Sequence, residues 1–341
     1  MQQGSNSFPN DSKVYLVGSG IASLASATYL INDAGVSGDD IHIMEQDDVL
    51  GGALDGSGDP DNGYLIRGGR MHEEHFVCYW DLLSNIPSYD DPSISVKAES
   101  FEFSSRFVSH AQARLLKHGE KMDLSSFELT LKDQADLLRL TYASEKSLDN
   151  IRIEDWFSEE FFQTNFWYLW TTMFAFQKWS SVAAMRRYMK RFIHLLDGMP
   201  TLGGIMRTKY NQYHSVVIPL KRYLQKHGVH FEMQTQVIDV DFTFKDDTKT
   251  ATAIHAIDEN GKTLDINLKH CDYVFITNGS ITGSTGRGSW TRAPLLKDKS
   301  TSGSWMLWQS IASKDNAFGS PGVFSDNIDL QKWYSFTATI K

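Results

Sequence analysis

Short apolar runs broken by glycine open the chain, helical periodicity fills its middle, and strand-like runs separated by turns return towards its end. Residues 13–23 read Lys-Val-Tyr-Leu-Val-Gly-Ser-Gly-Ile-Ala-Ser. Val14, Leu16 and Val17 predict a short buried strand, Gly18 a tight turn, and the residues behind Gly20 a helix start. A second strand, Ile41-His42-Ile43-Met44, runs into Glu45. Then come Leu50-Gly51-Gly52-Ala53-Leu54-Asp55-Gly56, a loop rich in Gly, Asp, Pro and Asn as far as Gly63, the strand Tyr64-Leu65-Ile66, and Arg67-Gly68-Gly69-Arg70. Glycines this dense mark backbone that passes close to a ligand; the plainer alternative is a pair of ordinary turns. Residues 71–84 predict a helix with Phe76, Trp80 and Leu83 on one face.

The pattern over 90–130 is mixed, whereas 133–143, 153–176 and 181–196 predict helices with little turn chemistry inside any of them. This helical insertion holds Trp156, Phe157, Phe161, Phe162, Phe166, Trp167, Tyr168, Trp170, Phe174, Phe176 and Trp179. Such a cluster makes a core, or, since aromatics surround more than one helix face, the wall of a long apolar pocket. Nucleotide-fold character resumes after Tyr213, with a helix over 216–226, strands opening at Val229 and Val237, and a hairpin around Glu259-Asn260-Gly261. Tyr273-Val274-Phe275-Ile276 predicts a buried strand ending in Thr277-Asn278-Gly279-Ser280, as in a sheet that has been left and re-entered. A short helix is expected over 305–312, and 335–341 reads as a strand cut in mid-course. The division expected is an α/β nucleotide domain in two parts, 12–88 and 213–285, a mainly helical lobe over 89–212, and the incomplete start of a further segment over 286–341. No internal repeat is visible.

In the first unit Gly18 allows the turn, Gly20 lets backbone approach a pyrophosphate, and Ser23 stands where a third small residue permits close helix packing. The amides of Ile21, Ala22 and Ser23 would face the anion, and Glu45 is placed to accept both ribose hydroxyls. Turn, helix, strand and acid together predict a dinucleotide site, against the alternative of an ordinary βαβ unit with a glycine turn. The chain of 341 residues is long enough for two or more lobes with their own cores. Its net charge of -9, without basic runs among exposed aromatics, sets nucleic acid aside. Cys78 and Cys271 stand far apart without CxxC spacing, which suits a reducing compartment, so the cytoplasm is expected. The N-terminus lacks a basic and apolar leader pattern, and no stretch predicts a membrane span.

At Arg67-Gly68-Gly69-Arg70, followed by Cys78, Trp80, Asp81 and Leu82, the chain resembles the oleate hydratase family of fatty acid hydratases, also called myosin-cross-reactive antigens. Asn165-Phe166-Trp167, Thr172-Met173-Phe174-Ala175-Phe176, Arg186-Arg187-Tyr188, Tyr210-Asn211-Gln212-Tyr213 and Thr277-Asn278-Gly279-Ser280-Ile281-Thr282 agree in order. Family members continue well past this point, so the chain reads as an N-terminal portion. The resemblance implies FAD in a glutathione-reductase-type Rossmann-like fold, and water added across a cis double bond of a long-chain unsaturated fatty acid without net electron transfer. It further implies a homodimer and transient peripheral contact with membranes. For the flavin it points to Gly18, Gly20, Ser23 and Glu45 at the ADP half, Gly51, Gly52, Gly68, Gly69 and Arg70 towards the ring, Val237 beside the adenine, and Asn278 and Gly279.

Tyr188 matches the family's tyrosine proton donor; a phenol stays protonated near neutral pH, and adjacent arginines could lower its pKa. The plainer alternative is a tyrosine on a core helix with its hydroxyl at the surface. Many members place a water-activating glutamate directly after the second arginine of Arg-Gly-Gly-Arg, where this chain has Met71. Glu73 and Glu74, brought back by a turn of helix, are the replacement bases expected, Glu73 preferred; otherwise they form a solvated acidic helix start. His72 and His75 lack HExxH spacing and an identifiable third ligand, so no metal is expected. Gln212 matches a contact to the fatty acid carboxylate, or is a buried amide satisfied by backbone. The rivals to hydration are a redox flavoenzyme of the amine oxidase or desaturase type and a fragment that binds flavin or lipid without catalysis.

Overall fold

Val14–Val17 is buried along its whole length, and that is possible because it is paired on both sides: with Ile41–Met44 and with Tyr273–Ile276, both parallel. His230–Glu232 adds a fourth parallel strand beyond Ile41–Met44. The computed structural model describes residues 9, 11–61, 63–67, 69, 71–112, 114–246, 248–277, 281–286, 288–289, 291–295 and 302–334. By its internal contacts the chain divides into two units, Met1–Arg70 with Phe76–Phe101 and Thr208–Lys341, and Met71–His75 with Glu102–Arg207.

The first unit is a mixed α/β body built on that sheet. The helix Ile21–Asn32 makes the crossover between the first two strands and contacts the helices Val77–Leu82 and Ile218–Lys226. On the other face, Tyr15, Val17 and Met44 share a core with Val237, Val240, Ile254 and Ala256 of an antiparallel sheet, and with Leu307 and Ile311 of the helix Gly303–Lys314. The antiparallel sheet is formed by Gln236–Lys245, Thr248–Ile257 and Thr263–Asn267. Its second hairpin turns as expected: the Gly261 amide donates to the Asp258 carbonyl at 3.0 Å, with Gly261 at φ +76. Tyr273–Ile276 departs from the expectation of a buried strand. It is the sheet edge, so Tyr273 and Phe275 are exposed on one side while Val274 and Ile276 pack on the core.

The second unit is helical and its aromatic cluster is core. Phe157, Phe161, Phe162, Phe166, Trp167, Trp170 and Phe176 are buried together with Leu137, Leu140, Val182, Met185 and Met189, and Trp156, Tyr168 and Phe174 pack on its border. Trp179 stands out at the surface. The helix Leu131–Tyr142 begins in a capping box: Thr130 accepts from the Asp133 amide and Asp133 from the Thr130 amide. The continuous helix expected over 153–176 is broken into Ile153–Trp156, a 3-10 turn at Phe161–Gln163, and Asn165–Phe174. Thr164 explains the restart, since it is extended and its hydroxyl caps the Trp167 amide at 3.2 Å. Val182–Phe192 is helical, capped by Ser181, and tightens into a 3-10 turn over Ile193–Gly198.

The helix expected over 71–84 does not form as such. Met71–His72 is a strand paired antiparallel with Met206–Arg207, and the helix runs only over Val77–Leu82. The expected helical return of Glu73 and Glu74 is therefore corrected: they lie in the irregular stretch between strand and helix. The strand read over 335–341 lies outside the described residues.

Candidate functional site

In the first unit the turn after Val14–Val17 is held by the Gly18 amide, which donates to the Met44 carbonyl at 2.8 Å. Gly18 has φ +91, and a Cβ there would come to 3.0 Å from Thr277 Oγ1. That hydroxyl donates to the Val17 carbonyl at 2.8 Å and shares a 2.9 Å bond with Ser23, so the third small residue of the motif ties helix start to sheet edge. Gly20 is extended and heads Ile21–Asn32 without a side-chain cap, so no side chain serves the first-turn amides of Ile21, Ala22 and Ser23 as an N-cap. A Cβ on Gly20 meets nothing within 4 Å, which leaves this backbone open to a ligand.

Glu45 is buried and folded back on this turn. One oxygen accepts from the Ser19 amide at 2.9 Å and the Ser19 hydroxyl at 2.5 Å; the other accepts from the Asp47 amide at 3.0 Å. The loop of Gly51 and Gly52 reaches the same turn: the Gly51 amide donates to the Ser19 carbonyl at 3.2 Å, and a Cβ on Gly52 would stand 3.2 Å from Gly20 Cα. Both glycines have positive φ. Arg67, which sequence reasoning left without a role, braces this loop by pairing with buried Asp55 at 2.8 Å and donating to the carbonyls of Gly52 at 2.8 Å and Thr282 at 3.0 Å. Its place as first arginine of Arg-Gly-Gly-Arg was the available signal. Gly69 is exposed. Gly68, Arg70, Asn278 and Gly279 lie outside the described residues.

Val237 sits in the shared core, so its side chain is taken up by packing, and it is paired with Ala256 in the antiparallel sheet. Gln212 is half-buried at the head of a π-helical turn, Tyr213–Val217, whose last residue brings Val217 Cγ2 within 2.9 Å of a Cβ built on Gly51. The Tyr-Asn-Gln-Tyr segment thus lies against the glycine loop.

In the second unit Tyr188, 42% exposed, stands on Val182–Phe192 among aromatic rings. It meets Phe174 and Phe176 edge-on at 5.3 and 5.1 Å, and Phe192 at 5.9 Å. Of the adjacent arginines, Arg187 is paired with Glu145. Glu74 is exposed, whereas Glu73 is buried with 1% of its side chain accessible. Glu73 Oε2 accepts from the His75 amide at 2.7 Å, lies 2.9 Å from His75 Nδ1 and 3.4 Å from His194 Nε2, and Oε1 accepts from Arg191. Burial pushes this carboxyl up, but the His75 amide, the Arg191 guanidinium and the His75 ring outweigh it and hold Glu73 below the usual carboxylate range. The ligand atoms of Glu73, His75 and His194 lie within 4.8 Å of one another, so the fold supplies the third metal-type side chain that spacing did not show. Arg191 already brings a cation to that carboxylate.

Residues 11–341 match the MCRA family. Over 329 residues the chain is 40% identical to the oleate hydratase of Streptococcus pyogenes serotype M49 (strain NZ131), an overlap of 96% of this chain and 55% of that protein. It is 33% identical over 360 residues to the linoleate hydratase of Lactiplantibacillus plantarum, covering 97% of this chain and 62% of that protein. The chain therefore spans little more than half the length of these curated relatives. Among solved structures, a CLA-producing fatty acid isomerase from P. acnes aligns with a TM-score of 0.44 and 15% identity over 76% of this chain and 58% of that one, too low a likeness to argue from. With its family pattern matched from residue 11 onwards, the chain belongs to the MCRA family.

Proposed function

We propose that this protein takes part in FAD-dependent hydration of a cis double bond in long-chain unsaturated fatty acids of the oleate or linoleate type, giving hydroxy fatty acids. The observation that carries this reading is the 40% identity, over 329 residues, to a protein named oleate hydratase. The finer fold assignment, an FAD-binding fold of the glutathione-reductase type, belongs to the same proposal. Its support is the glycine turn with an open Cβ position at Gly20, an uncapped helix start behind it, and a carboxylate at the end of the second strand.

These residues fit a dinucleotide. Gly20, Ile21, Ala22 and Ser23 would hold the pyrophosphate on backbone amides, Gly18, whose own amide is bonded to the Met44 carbonyl, would shape the turn beneath it, and Glu45 would take the ribose hydroxyls. Gly51, Gly52, Gly68, Gly69 and Arg70 would lie towards the ring, with Val237 beside the adenine and Asn278 and Gly279 completing the set. When bound, FAD supplies a rigid electrostatic surface to the reaction and no net electron transfer.

Hydration of an unactivated alkene needs a proton delivered to one carbon and water at the other. Tyr188 is assigned the donor role: its hydroxyl is an O–H donor, and Phe174, Phe176 and Phe192 give it apolar surroundings matched to an acyl chain. Glu73 fits the base role poorly, because its carboxylate is already supplied with donors and held low. Glu74 lies out in solvent. The phenolate left after protonation of the alkene is itself a strong base, and the proton shed by the attacking water returns to it. Gln212 is assigned to the fatty acid carboxylate through its amide. Because such substrates partition into bilayers, peripheral membrane contact and a homodimer are part of the proposal; among the described residues no helix is long and apolar enough to cross a membrane.

The test is incubation of the flavin-loaded protein with oleate or linoleate in heavy-oxygen water. Hydroxy fatty acid carrying the label is expected. Unlabelled substrate alone, or oxygen uptake with bleaching of the flavin, would overturn the reading, the latter in favour of redox chemistry.

A further inference from the structure

Tyr188, to which the proposed function gives the proton-donor role, and the segment Met71–His75 both lie in the second unit. We infer that Glu73 is a positioning residue, its buried carboxylate tying the segment that carries Met71 to the helix end that carries Tyr188. The catalytic half of this inference rests on the proposed function; the geometric half does not.

Residues 71–75 are anchored at both ends. At one end Met71–His72 is paired with Met206–Arg207. At the other, Glu73 grips Arg191, close to His194, while Arg191 also reaches the His75 carbonyl at 3.4 Å. The rings of His75 and His194 meet edge-on at 4.6 Å, closing the cluster. Arg191 follows Tyr188 by three residues on one helix, the spacing at which side chains share a face. Phe192, beside Arg191, stacks on Phe174 at 5.0 Å, and Phe174 in turn meets Tyr188. A shift of Arg191 is therefore passed to the rings that orient the phenol. A metal reading of the same cluster is weaker, since the guanidinium of Arg191 occupies the carboxylate that a divalent cation would need. A base reading is weaker too, because the oxygens already accept from an amide and a guanidinium.

The test uses the 341-residue chain labelled with fluorotyrosine, the Tyr188 signal being assigned through Tyr188→Phe. In fluorine NMR, Glu73→Gln and Arg191→Gln are each expected to shift or broaden the Tyr188 resonance while leaving Tyr168, in the same unit, and Tyr15, in the other, unmoved. In turnover of oleate, kcat is expected to fall about tenfold to a hundredfold with KM nearly unchanged. The double variant should be no worse than the poorer single one, as for two residues acting as one unit. Should Glu73→Gln not fold, Arg191→Lys, which keeps the charge but loses the planar fork, provides the same comparison with a smaller shift. A Tyr188 signal unmoved in folded variants would overturn the inference, as would a collapse of kcat in Glu73→Gln that Arg191→Gln does not share, the mark of a direct base. If the unaltered protein turns over no fatty acid, the hydratase reading fails by itself and the NMR comparison still decides the geometric claim.

Discussion

Alanine at Gly18 and alanine at Gly20 are expected to do opposite things, although both glycines sit in one turn. At Gly18, φ is +91, a conformation that costs an alanine about 1–2 kcal/mol, and the new methyl would press on Thr277 Oγ1 at 3.0 Å. Moving that hydroxyl puts at risk its bonds to the Val17 carbonyl and to Ser23, each worth about 1 kcal/mol. Gly18→Ala should therefore lower the unfolding free energy by about 2–4 kcal/mol. At Gly20, φ is -66 and ψ 175, which any residue adopts, and the methyl meets nothing within 4 Å. Replacing glycine by alanine at a helix start costs about 0.5–1 kcal/mol, and the stiffer unfolded chain returns about 0.4–1 kcal/mol, so stability should barely change. The methyl instead projects over the helix start where the pyrophosphate is proposed, and the FAD Kd should rise at least about tenfold, or 1.4 kcal/mol. Urea unfolding followed by circular dichroism gives the first quantity, and flavin fluorescence titration of stripped protein the second. Gly20→Ala protein that takes up FAD at unaltered affinity would refute the cradle; Gly18→Ala protein of unaltered stability would refute the account of the turn.

Tyr188→Phe keeps the aromatic packing and removes the acidic proton, so hydroxy acid formation should drop by about a hundredfold or more while bound flavin, read from its visible absorbance, stays the same. Trp170→Ala empties the middle of the helical unit, where Trp170 is fully buried, and should cost about 3–5 kcal/mol in urea unfolding; a loss under about 1 kcal/mol would mean that this core is not packed as described. His255 bonds Asp241 at 2.9 Å and Asp265 at 2.7 Å, and these two carboxylates raise its pKa above that of a free histidine. Its stabilising contribution is then complete below the unfolded-state pKa and is lost as pH rises through the raised folded-state value. Comparing thermal unfolding of the parent and His255→Gln from about pH 5 to 8 should show that the variant lacks this decline; parallel curves would refute the assignment.

The parts of the fold that were legible in the sequence are those whose chemistry is local. Gly18 needs its positive φ whatever lies elsewhere, and Asn260-Gly261 turns its hairpin from within. What was not legible depends on partners far along the chain. Phe76, Trp80 and Leu83 suggested one long helix, and Trp80 and Leu83 are indeed buried, but Met71–His72 is a strand because Met206–Arg207 lies beside it. Four apolar residues at Tyr273–Ile276 look alike in an edge or a central strand, since the number of neighbours is a property of the sheet. Glu73 shows the limit most clearly. Beside His72, Glu74 and His75 it reads as one more charge on a polar face, and only the approach of Arg191 and His194 turns it into a buried anchor whose oxygens are already engaged. A charge that local pattern assigns to solvent is worth re-examining wherever a short strand next to it is paired from a distance, because that pairing is what carries it indoors.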